Sequence, residues 1–306
     1  GIRIPVVVLS SIATKGAAVT MECLELGAMD FITKPGGSVT SEISEVSENL
    51  SNMIVSYGGN FARSKGKAIP DPETFARAIK LIEAERFVAK QKKETEAASI
   101  KKDITAVLSQ IKTPVKKEAA PIVAAAKPGK IKIIALGIST GGPNALREVF
   151  KDLDPDIKQP ILVVQHMPAG FTKEFAASLD RICPLSVEEA EDGTVLQEGH
   201  IYIAPGSYHI YVEKSGMRTM LRTCQDEPRN GHRPSADYLF ESVCKVFKND
   251  ALGVIMTGMG KDGAQELANM RKAGAWTLGQ DQASSIVYGM PRVAFEMGAV
   301  QKQVSL

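Results

Sequence analysis

The chain has 306 residues, of which 44% are hydrophobic and 24% are charged, and its formal net charge is +2. This composition is that of an ordinary globular protein with about two domains. A nearly neutral charge, without basic clusters interleaved with aromatic residues, argues against nucleic-acid binding. No apolar run reaches the length of a membrane span, so we expect no membrane insertion.

The four cysteines are far apart in the sequence and form no Cys-x-x-Cys pair. A disulfide framework or a zinc site would need closer, patterned spacing. We therefore expect reduced thiols, a cytoplasmic location and no bound metal. Because the chain starts with Gly1 in a strand-like run and lacks a signal peptide, we expect it to be a fragment of a longer cytoplasmic protein.

In the first 57 residues, predicted strands alternate with predicted helices. Residues 4–9 are a β-branched run typical of a buried strand, and 31–33 form a second short strand. Residues 17–26 and 42–57 have the apolar spacing of amphipathic helices. The order is therefore strand, helix, strand, helix, as in a parallel α/β sheet.

Two short motifs in this segment resemble the last third of a response-regulator receiver domain. Ser10 follows the first strand, and Lys34 follows the second in the run Thr-Lys-Pro. The resemblance implies that Ser10 is the switch hydroxyl and that Lys34 pairs with a phosphoryl group carried by an aspartate on an earlier strand. On the residues alone, a lysine before a turn is more commonly only exposed to solvent.

The composition changes between residues 58 and 130. Asp71-Pro72-Glu73 has the order of an N-cap, a first helical residue and a first-turn acid, and predicts a helix over 71–96. A further helical segment is predicted over 99–111, and 112–130 is a proline-, alanine- and lysine-rich linker. The apolar stripe of the long helix could dock on a domain or pair with a partner helix, whereas its charged face is more commonly solvated.

The last part of the chain, from residue 131, alternates apolar strands with helical segments. The predicted strands are followed by helices over 144–150, 171–181, 234–243, 264–273 and within 285–297, and short β segments are predicted over 187–212. The principal strands are 131–136, 160–166, 251–258 and 276–279. This alternation predicts an α/β fold with a mostly parallel, doubly wound, Rossmann-like sheet. We expect a partial receiver domain over 1–57, a linker over 58–130 and a catalytic domain over 131–306.

Gly137-Ile-Ser-Thr-Gly141 fits the Gly-x-Ser-x-Gly elbow, in which a tight strand-to-helix turn exposes a serine nucleophile. Similar glycine-rich turns bind phosphates or dinucleotides, and Ser139 could also simply cap the following helix. For a dinucleotide site we would expect an acid at the end of the second strand, where the sequence has Gln165-His166. That difference argues against the dinucleotide alternative.

Three polar residues follow buried strands, and those strand ends share one edge of a parallel sheet. They are Ser139, His166 and Asp262. A serine needs a base to become nucleophilic, a histidine can take the proton near neutral pH, and an aspartate can orient the histidine. The helix start at Gly141-Gly142 and the backbone at Met259-Gly260 are candidate oxyanion donors.

The other histidines compete with His166 for the role of base, but none of them follows a strongly apolar strand. They are His200, His209 and His232. The chain order Ser, His, Asp also differs from the order in α/β-hydrolases, so that particular fold is disfavoured.

Six motifs in order resemble the chemotaxis methylesterase family, CheB. They are Gly137-Ile-Ser-Thr-Gly-Gly-Pro143, Gln165-His-Met-Pro168, Ala204-Pro-Gly206, His232-Arg-Pro-Ser-Ala-Asp237, Met256-Thr-Gly-Met-Gly-Lys-Asp-Gly263 and Ser284-Ser-Ile-Val-Tyr-Gly-Met-Pro291. The resemblance covers residues 1 to about 57 and 131 to about 300. The segment 58–130 is long for the family's linker.

The resemblance implies a serine esterase that removes methyl esters from glutamyl side chains of chemoreceptors and often deamidates their glutamines. Ser139 would attack the acyl carbon, His166 would act as base and then acid, and Asp262 would orient it. The remaining residues of these motifs are implied to shape the site or the oxyanion contacts. They are Thr140, Gly141, Met259, Gly260, His232 and Arg233.

The implied partners are the cytoplasmic domains of methylated chemoreceptors and, through an intact receiver domain, the chemotaxis histidine kinase. No metal or organic cofactor is implied. Because the acceptor aspartate is absent from this chain, we expect no response to a phosphodonor and the basal activity of a free catalytic domain. Two other classes stay open: a nucleotide-binding module, and a non-catalytic partner-binding protein centred on the helix 71–96.

Overall fold

The computed structural model describes residues 4–10, 14–34, 40–66 and 122–306. The helices predicted over 71–96 and 99–111, and most of the predicted linker, lie outside the described residues. The chain divides into two compact units. One comprises Gly1–Pro5 and Gly37–Lys117, and the other comprises Val6–Gly36 and Glu118–Leu306.

In the first of these units, the described residues include one long helix, α2, over Thr40–Ser64. It begins two residues before the predicted start at 42 and continues past the predicted end at 57. Its apolar spacing gives one buried face, with Met53 and Tyr57 buried and Ile54 exposed. A helix held by such a face tolerates glycine, which explains why Gly58 and Gly59 do not end it.

The second unit is built on a seven-stranded sheet in which every neighbouring pair of strands is parallel. The strands, in spatial order, are β12 (Lys302–Val304), β11 (Trp276–Gln280), β10 (Ala251–Ile255), β3 (Ile133–Ile138), β4 (Ile161–Gln165), β7 (His200–Ile203) and β5 (Ser186–Glu189). The predicted parallel α/β sheet is therefore confirmed. Its central strands β10, β3 and β4 are those that precede Asp262, Ser139 and His166.

Helices cover both faces of this sheet, which makes it doubly wound as predicted. The helices are α3 (Gly142–Lys151), α4 (Thr172–Asp180), α5 (Ala236–Phe247), α6 (Ala264–Lys272) and α7 (Met290–Glu296). One apolar cluster joins the sheet to α5, α6 and α7, and a second joins it to α3 and α4. The fully buried Phe240 and Phe175 belong to the first and second cluster, respectively. Two such clusters allow the sheet to be apolar on both faces.

The short β segments predicted over 187–212 are divided between two sheets: β5 and β7 belong to the parallel sheet, and the others belong to a smaller antiparallel sheet. Its strands are β6 (Thr194–Val195), β9 (Arg218–Cys224) and β8 (His209–Ser215), in that spatial order. Neither β9 nor the three-residue β12 was predicted from the sequence. Strand β9 has the sequence Arg-Thr-Met-Leu-Arg-Thr-Cys, which has neither a strict polar–apolar alternation nor a strongly apolar composition. Its pairing with β8 gives it its strand geometry.

The amino-terminal part of the second unit contains β1 (Val7–Ser10), α1 (Thr14–Glu25) and β2 (Asp30–Thr33), with β1 and β2 parallel. The Phe31 and Phe171 rings stack with centroids 4.9 Å apart, and Glu25 forms an ion pair with Arg181. This segment therefore packs against the region around α4. Leu9 of β1 is 46% exposed, so this strand is less buried than its β-branched run predicts.

Residues 122–130 form main-chain contacts with the carboxy-terminal half of the chain. The Ala125 N–H donates to Lys272 O at 2.7 Å, and the Gly129 N–H donates to Asn249 O at 2.8 Å. The Ile122 side chain packs on the cluster that contains α5 and α6. The predicted boundary between linker and catalytic domain at 130/131 stays a prediction, but these contacts assign a structural role to the nine residues before it.

We predict that a shortened chain of residues 119–306 is more stable than one of residues 131–306. The longer chain keeps these hydrogen bonds and the Ile122 contact, and we expect it to gain about 1–3 kcal/mol in the free energy of unfolding. Urea titrations followed by circular dichroism measure the difference. Ile122→Ala should lower the stability of the longer chain, whereas the matched change Val123→Ala, at an 88% exposed position, should not. Equal stability of the two chains would contradict the prediction.

Candidate active site

The Ser139 turn lies at the carboxyl end of the central strand β3. Gly141 has a φ of +81°, and a Cβ atom there would lie 2.8 Å from the Ile286 Cβ. Glycine is therefore required both by the backbone conformation and by the close neighbour. The Ser139 N–H donates to Thr257 O at 2.9 Å, and Ser139 O accepts from the Gly142 N–H at 2.7 Å. The serine backbone is thus fixed on both sides while its side chain stays half-buried.

His166 is the first residue after β4, as predicted, and its ring lies against Asp262. The distance from His166 Nε2 to Asp262 Oδ2 is 2.8 Å. His166 Nδ1 is buried and has no hydrogen-bond partner among the described residues. Because Asp262 engages Nε2, Nδ1 is the ring nitrogen that can accept a proton. No described residue hydrogen-bonds to the Ser139 hydroxyl, and catalytic hydrogen bonds commonly tighten only when substrate binds.

Asp262 is only 1% exposed, and five groups hydrogen-bond to its carboxylate: four donors from residues 230–237 and the His166 ring. Ser235 Oγ donates at 2.7 Å and Asn230 Nδ2 at 2.9 Å to Oδ1, and the Ala236 N–H donates at 2.7 Å to Oδ2. Burial alone would raise the pKa of Asp262, but the bonds from His166, Asn230 and Ser235 lower it below its ordinary value. The side chain is therefore a carboxylate at neutral pH.

A tight turn brings two further residues to this pair. The N–H and carbonyl groups of Arg229 and His232 bond to each other at 3.1 and 3.0 Å. Asn230 and Gly231, between them, have φ values of +54° and +79°. Two successive residues with positive φ fit an Asn-Gly turn of type I′. The turn directs Asn230 to Asp262 and His232 to His166.

The His232 ring stacks on the His166 ring, with centroids 3.9 Å apart and an angle of 13° between planes. Burial is the main cause of a lowered pKa at His232, and the neighbouring His166 lowers it further, to about 4. His232 is therefore neutral at neutral pH. A neutral ring on the face of His166 restricts rotation of that ring and adds no competing positive charge.

The expected oxyanion region lies between the Ser139 turn and the loop after β10. The Thr140 N–H donates to none of the described residues, whereas the Gly141 N–H donates to Asp30 Oδ2 at 2.7 Å. A Cβ atom on Gly258 would lie 2.8 Å from the Ser139 Cβ, so this glycine allows the loop to approach the serine. Met259 follows it and is 37% exposed. Thr140 belongs to the Ser139 turn, and Met259 and Gly260 follow Gly258 in the loop after β10; their predicted contribution to the oxyanion contacts stays a prediction.

Other predicted residues lie away from the His166–Asp262 pair. Arg233 Nη1 donates to Gln225 O at 2.9 Å and to Asp226 O at 3.1 Å, so the guanidinium group fastens a loop. Ser10 is 6% exposed, and its hydroxyl accepts from Thr20 Oγ1 at 2.6 Å. Lys34 is exposed at the end of the neighbouring strand β2. The proposed switch roles of Ser10 and Lys34 stay predictions.

Four residues that form hydrogen bonds to residues of this site were not predicted from the sequence. They are Asp30, Gln165, Asn230 and Ser235. The Asn230-Gly231 pair is a recognisable turn signal, and Ser235 precedes a predicted helix as an N-cap would. No local pattern, however, indicates which carboxylate such residues will contact.

Neither a metal cluster nor a membrane helix is found in the part of the chain that the structure describes. There, no three His, Cys, Asp or Glu side chains are grouped as metal ligands would be. Within the same residues, every helix is too short or too polar to cross a bilayer. All four cysteines are free thiols.

A serine turn, a histidine and a buried aspartate at the carboxyl edge of a parallel α/β sheet are the arrangement expected of a serine hydrolase. Comparison with known proteins agrees with this class. Residues 134–306 match the family model of the CheB methylesterase, and the chain belongs to the CheB methylesterase family.

Similar proteins extend the match over the whole chain. A protein-glutamate methylesterase/protein-glutamine glutaminase of Treponema denticola is 51% identical over 306 residues, which are 100% of this chain and 76% of that protein. The protein of the same name from Treponema pallidum is 44% identical over 319 residues, with 100% and 76% covered. The crystal structure of the Thermotoga maritima CheB methylesterase catalytic domain is 34% identical, with a TM-score of 0.56, and covers 58% of this chain and 94% of that domain.

We predict that His232 makes the stability of the protein depend on pH between about 6.5 and 4. The folded state holds the pKa of His232 at about 4, below the ordinary value of 6.5, so the unfolded chain binds the proton first. Stability is fully present above 6.5 and is lost as pH falls towards 4, by up to about 3 kcal/mol.

Urea titrations across this pH window measure the effect. His232→Gln should flatten the dependence, whereas the matched change His200→Gln, at the start of β7, should leave it intact. A wild-type profile that keeps its slope in the His232→Gln variant would show that another group is responsible.

Proposed function

We propose that this chain is a serine hydrolase that removes methyl esters from glutamate side chains of chemotaxis receptors and deamidates receptor glutamines. The observation that carries the proposal is the 2.8 Å contact of His166 Nε2 with the buried Asp262 carboxylate, which leaves Nδ1 without a hydrogen-bond partner among the described residues. The names of relatives that are 51% and 44% identical support the choice of substrate.

In the proposed acylation step, Ser139 Oγ attacks the acyl carbon of the methyl ester while His166 Nδ1 takes the hydroxyl proton. Asp262 orients the ring through Nε2 and stabilises the imidazolium cation that forms. The negative charge on the carbonyl oxygen would be stabilised by the Thr140 N–H and by main-chain donors near Met259 and Gly260.

Collapse of the tetrahedral intermediate breaks the bond to the methoxy group, which leaves as methanol with the proton from His166. Water then attacks the acyl-enzyme, His166 takes a proton from it, and Ser139 recovers this proton as the glutamate carboxylate is released. With a glutamine side chain the same steps release ammonia instead of methanol. No cofactor takes part in the proposed steps.

We predict that Ser139→Ala and His166→Ala each slow hydrolysis by roughly 10⁴- to 10⁶-fold and that their effects do not add, since the residues act as one unit. Asp262→Asn should reduce the rate by a similar or somewhat smaller factor. Methanol release from receptor-containing membranes that carry methylated glutamates measures each rate.

The matched control is Ser178→Ala, which removes another buried serine hydroxyl, bonded to Phe175 O at 2.8 Å in α4. This control should keep nearly full activity. Near-normal methanol release from the Ser139→Ala variant would exclude Ser139 as the nucleophile.

Control by phosphorylation, through a receiver domain that a histidine kinase phosphorylates, is part of this proposal. So are the domain boundaries at 57 and 130 and the cytoplasmic location.

The contact of Asp30 with the Gly141 N–H bears on the expectation that this chain has the activity of a free catalytic domain. A carboxylate at the amino end of α3 disfavours further negative charge there. It leads us to propose a partly restrained basal activity instead.

We predict that Asp30→Ala raises the basal rate of methyl-ester hydrolysis by up to about 10-fold, because it removes a carboxylate from the helix end next to the nucleophile. The matched control is Glu25→Ala, which breaks the ion pair with Arg181 in the same segment without touching the Ser139 turn. Methanol release again gives the rate. An unchanged rate for Asp30→Ala would contradict the restraint, and an equal rise in both variants would assign it to the segment and not to Asp30.

A further inference from the structure

Gln165 is a polar side chain enclosed between the two strand ends that carry Ser139 and His166. It is the last residue of β4, pairs in register with Ile138, and is only 2% exposed. Beyond this pair the two strands diverge, one into the Ser139 turn and the other into the loop after His166. Buried amides are tolerated where hydrogen bonds compensate for the loss of water. The hydrogen bonds of the Gln165 amide therefore indicate the role of this side chain.

The amide nitrogen of Gln165 joins the two diverging segments. Nε2 donates to Ser139 O at 3.1 Å and to His166 O at 3.2 Å. Both partners are carbonyl oxygens, which can only accept, so the amide must present its NH₂ group to them. One side chain thereby binds the main chain of the proposed nucleophile and of the proposed base.

The other end of the amide lies against the start of α3. Gln165 Oε1 has no hydrogen-bond partner among the described residues. It lies where a side chain at position 142 would be, because a Cβ atom on Gly142 would come within 1.9 Å of it. The positive end of the helix dipole there favours a partly negative oxygen. Gly142 and Gln165 therefore fit each other, and Gly142 in turn donates to Ser139 O at 2.7 Å.

We propose that Gln165 is a positioning residue for the proposed ester hydrolysis: by bridging the two carbonyls, it sets the distance between the Ser139 hydroxyl and the His166 ring. This inference rests on the proposed function. Gln165 does not touch the reacting atoms. Its effect is on the alignment of two groups that must exchange a proton, a step in which small displacements are costly.

The first test compares the wild-type chain with Gln165→Met, which keeps the length of the side chain and removes its donors. We expect kcat for methanol release to fall roughly 10- to 100-fold, with KM changed less than about threefold, because substrate contacts remain. The apparent pKa of the pH–rate profile should not move, since the bond between His166 and Asp262 is retained. The rate of fluorophosphonate labelling of Ser139 should fall with kcat.

The matched control is Thr277→Val, which removes another buried hydrogen-bonding group from the same sheet, on β11. Thr277 is 0% exposed, and its Oγ1 accepts from the Gln301 N–H at 3.3 Å. This variant should retain wild-type kcat and labelling rate. Should Gln165→Met fail to fold, Gln165→Asn retains the amide but is one methylene too short to reach both carbonyls, and should show the same loss of kcat.

The outcomes separate this inference from the proposed function. Active wild-type protein with an unaltered kcat and labelling rate in a folded Gln165 variant would overturn the positioning role alone. A shifted pH profile, or a loss confined to KM, would also overturn it. If the wild-type protein is labelled at Ser139 but releases no methanol, the proposed substrate is wrong. The labelling rates of the wild type and the Gln165 variant then still test the positioning role of Gln165. Wild-type protein without labelling or hydrolysis would overturn both.

Discussion

The bond between His166 and Asp262 spans three neighbouring strands, and the remainder of the site is arranged around it. His166 follows β4 and Asp262 follows β10, while β3, which carries Ser139, lies between these two strands. The imidazole and the carboxylate come from the strands on either side of β3, and the serine turn lies at the end of β3. The order of strands in the sheet, rather than nearness in sequence, brings these residues together: Ser139 and His166 are 27 positions apart, and His166 and Asp262 are 96 positions apart.

Burying a carboxylate with a histidine removes both from water, and the attraction between them repays that cost only when the remaining lone pairs are satisfied. Asp262 receives this support from Asn230, Ser235 and the Ala236 N–H. A second buried acid, Asp237, shares the Asn230 amide at 2.6 Å, and burial raises its pKa. Asn230 therefore stands between two acids that would otherwise repel each other, which explains the strict geometry of its turn.

The sequence was sufficient for the four central strands of the parallel sheet and for the residues at their carboxyl ends, because both depend on local patterns. Apolar runs locate the buried strands, and a polar residue directly after such a run must lie at the strand end. Asn230 and Asp30 were not predictable in this way, because their contacts join segments far apart in the chain. Asp30 precedes the strand predicted over 31–33, is the first residue of β2 in the structure, and reaches Gly141, 111 residues later. Strand β9 was missed for the same reason, since pairing with β8 and not composition holds it.

The glycines of the motifs explain how the loops approach one another so closely. A Cβ atom on Gly258 would meet the Ser139 Cβ at 2.8 Å, and one on Gly206 would meet the Ala169 nitrogen at 2.3 Å. Gly206 has no positive φ, so its need for glycine comes from a close approach of backbone and not from conformation. The loop that follows His166 therefore packs directly on the backbone at Gly206, and the Ser139 turn packs directly on the backbone at Gly258. Rigid main-chain contacts of this kind allow half-buried side chains to keep their alignment without a complete set of hydrogen bonds of their own.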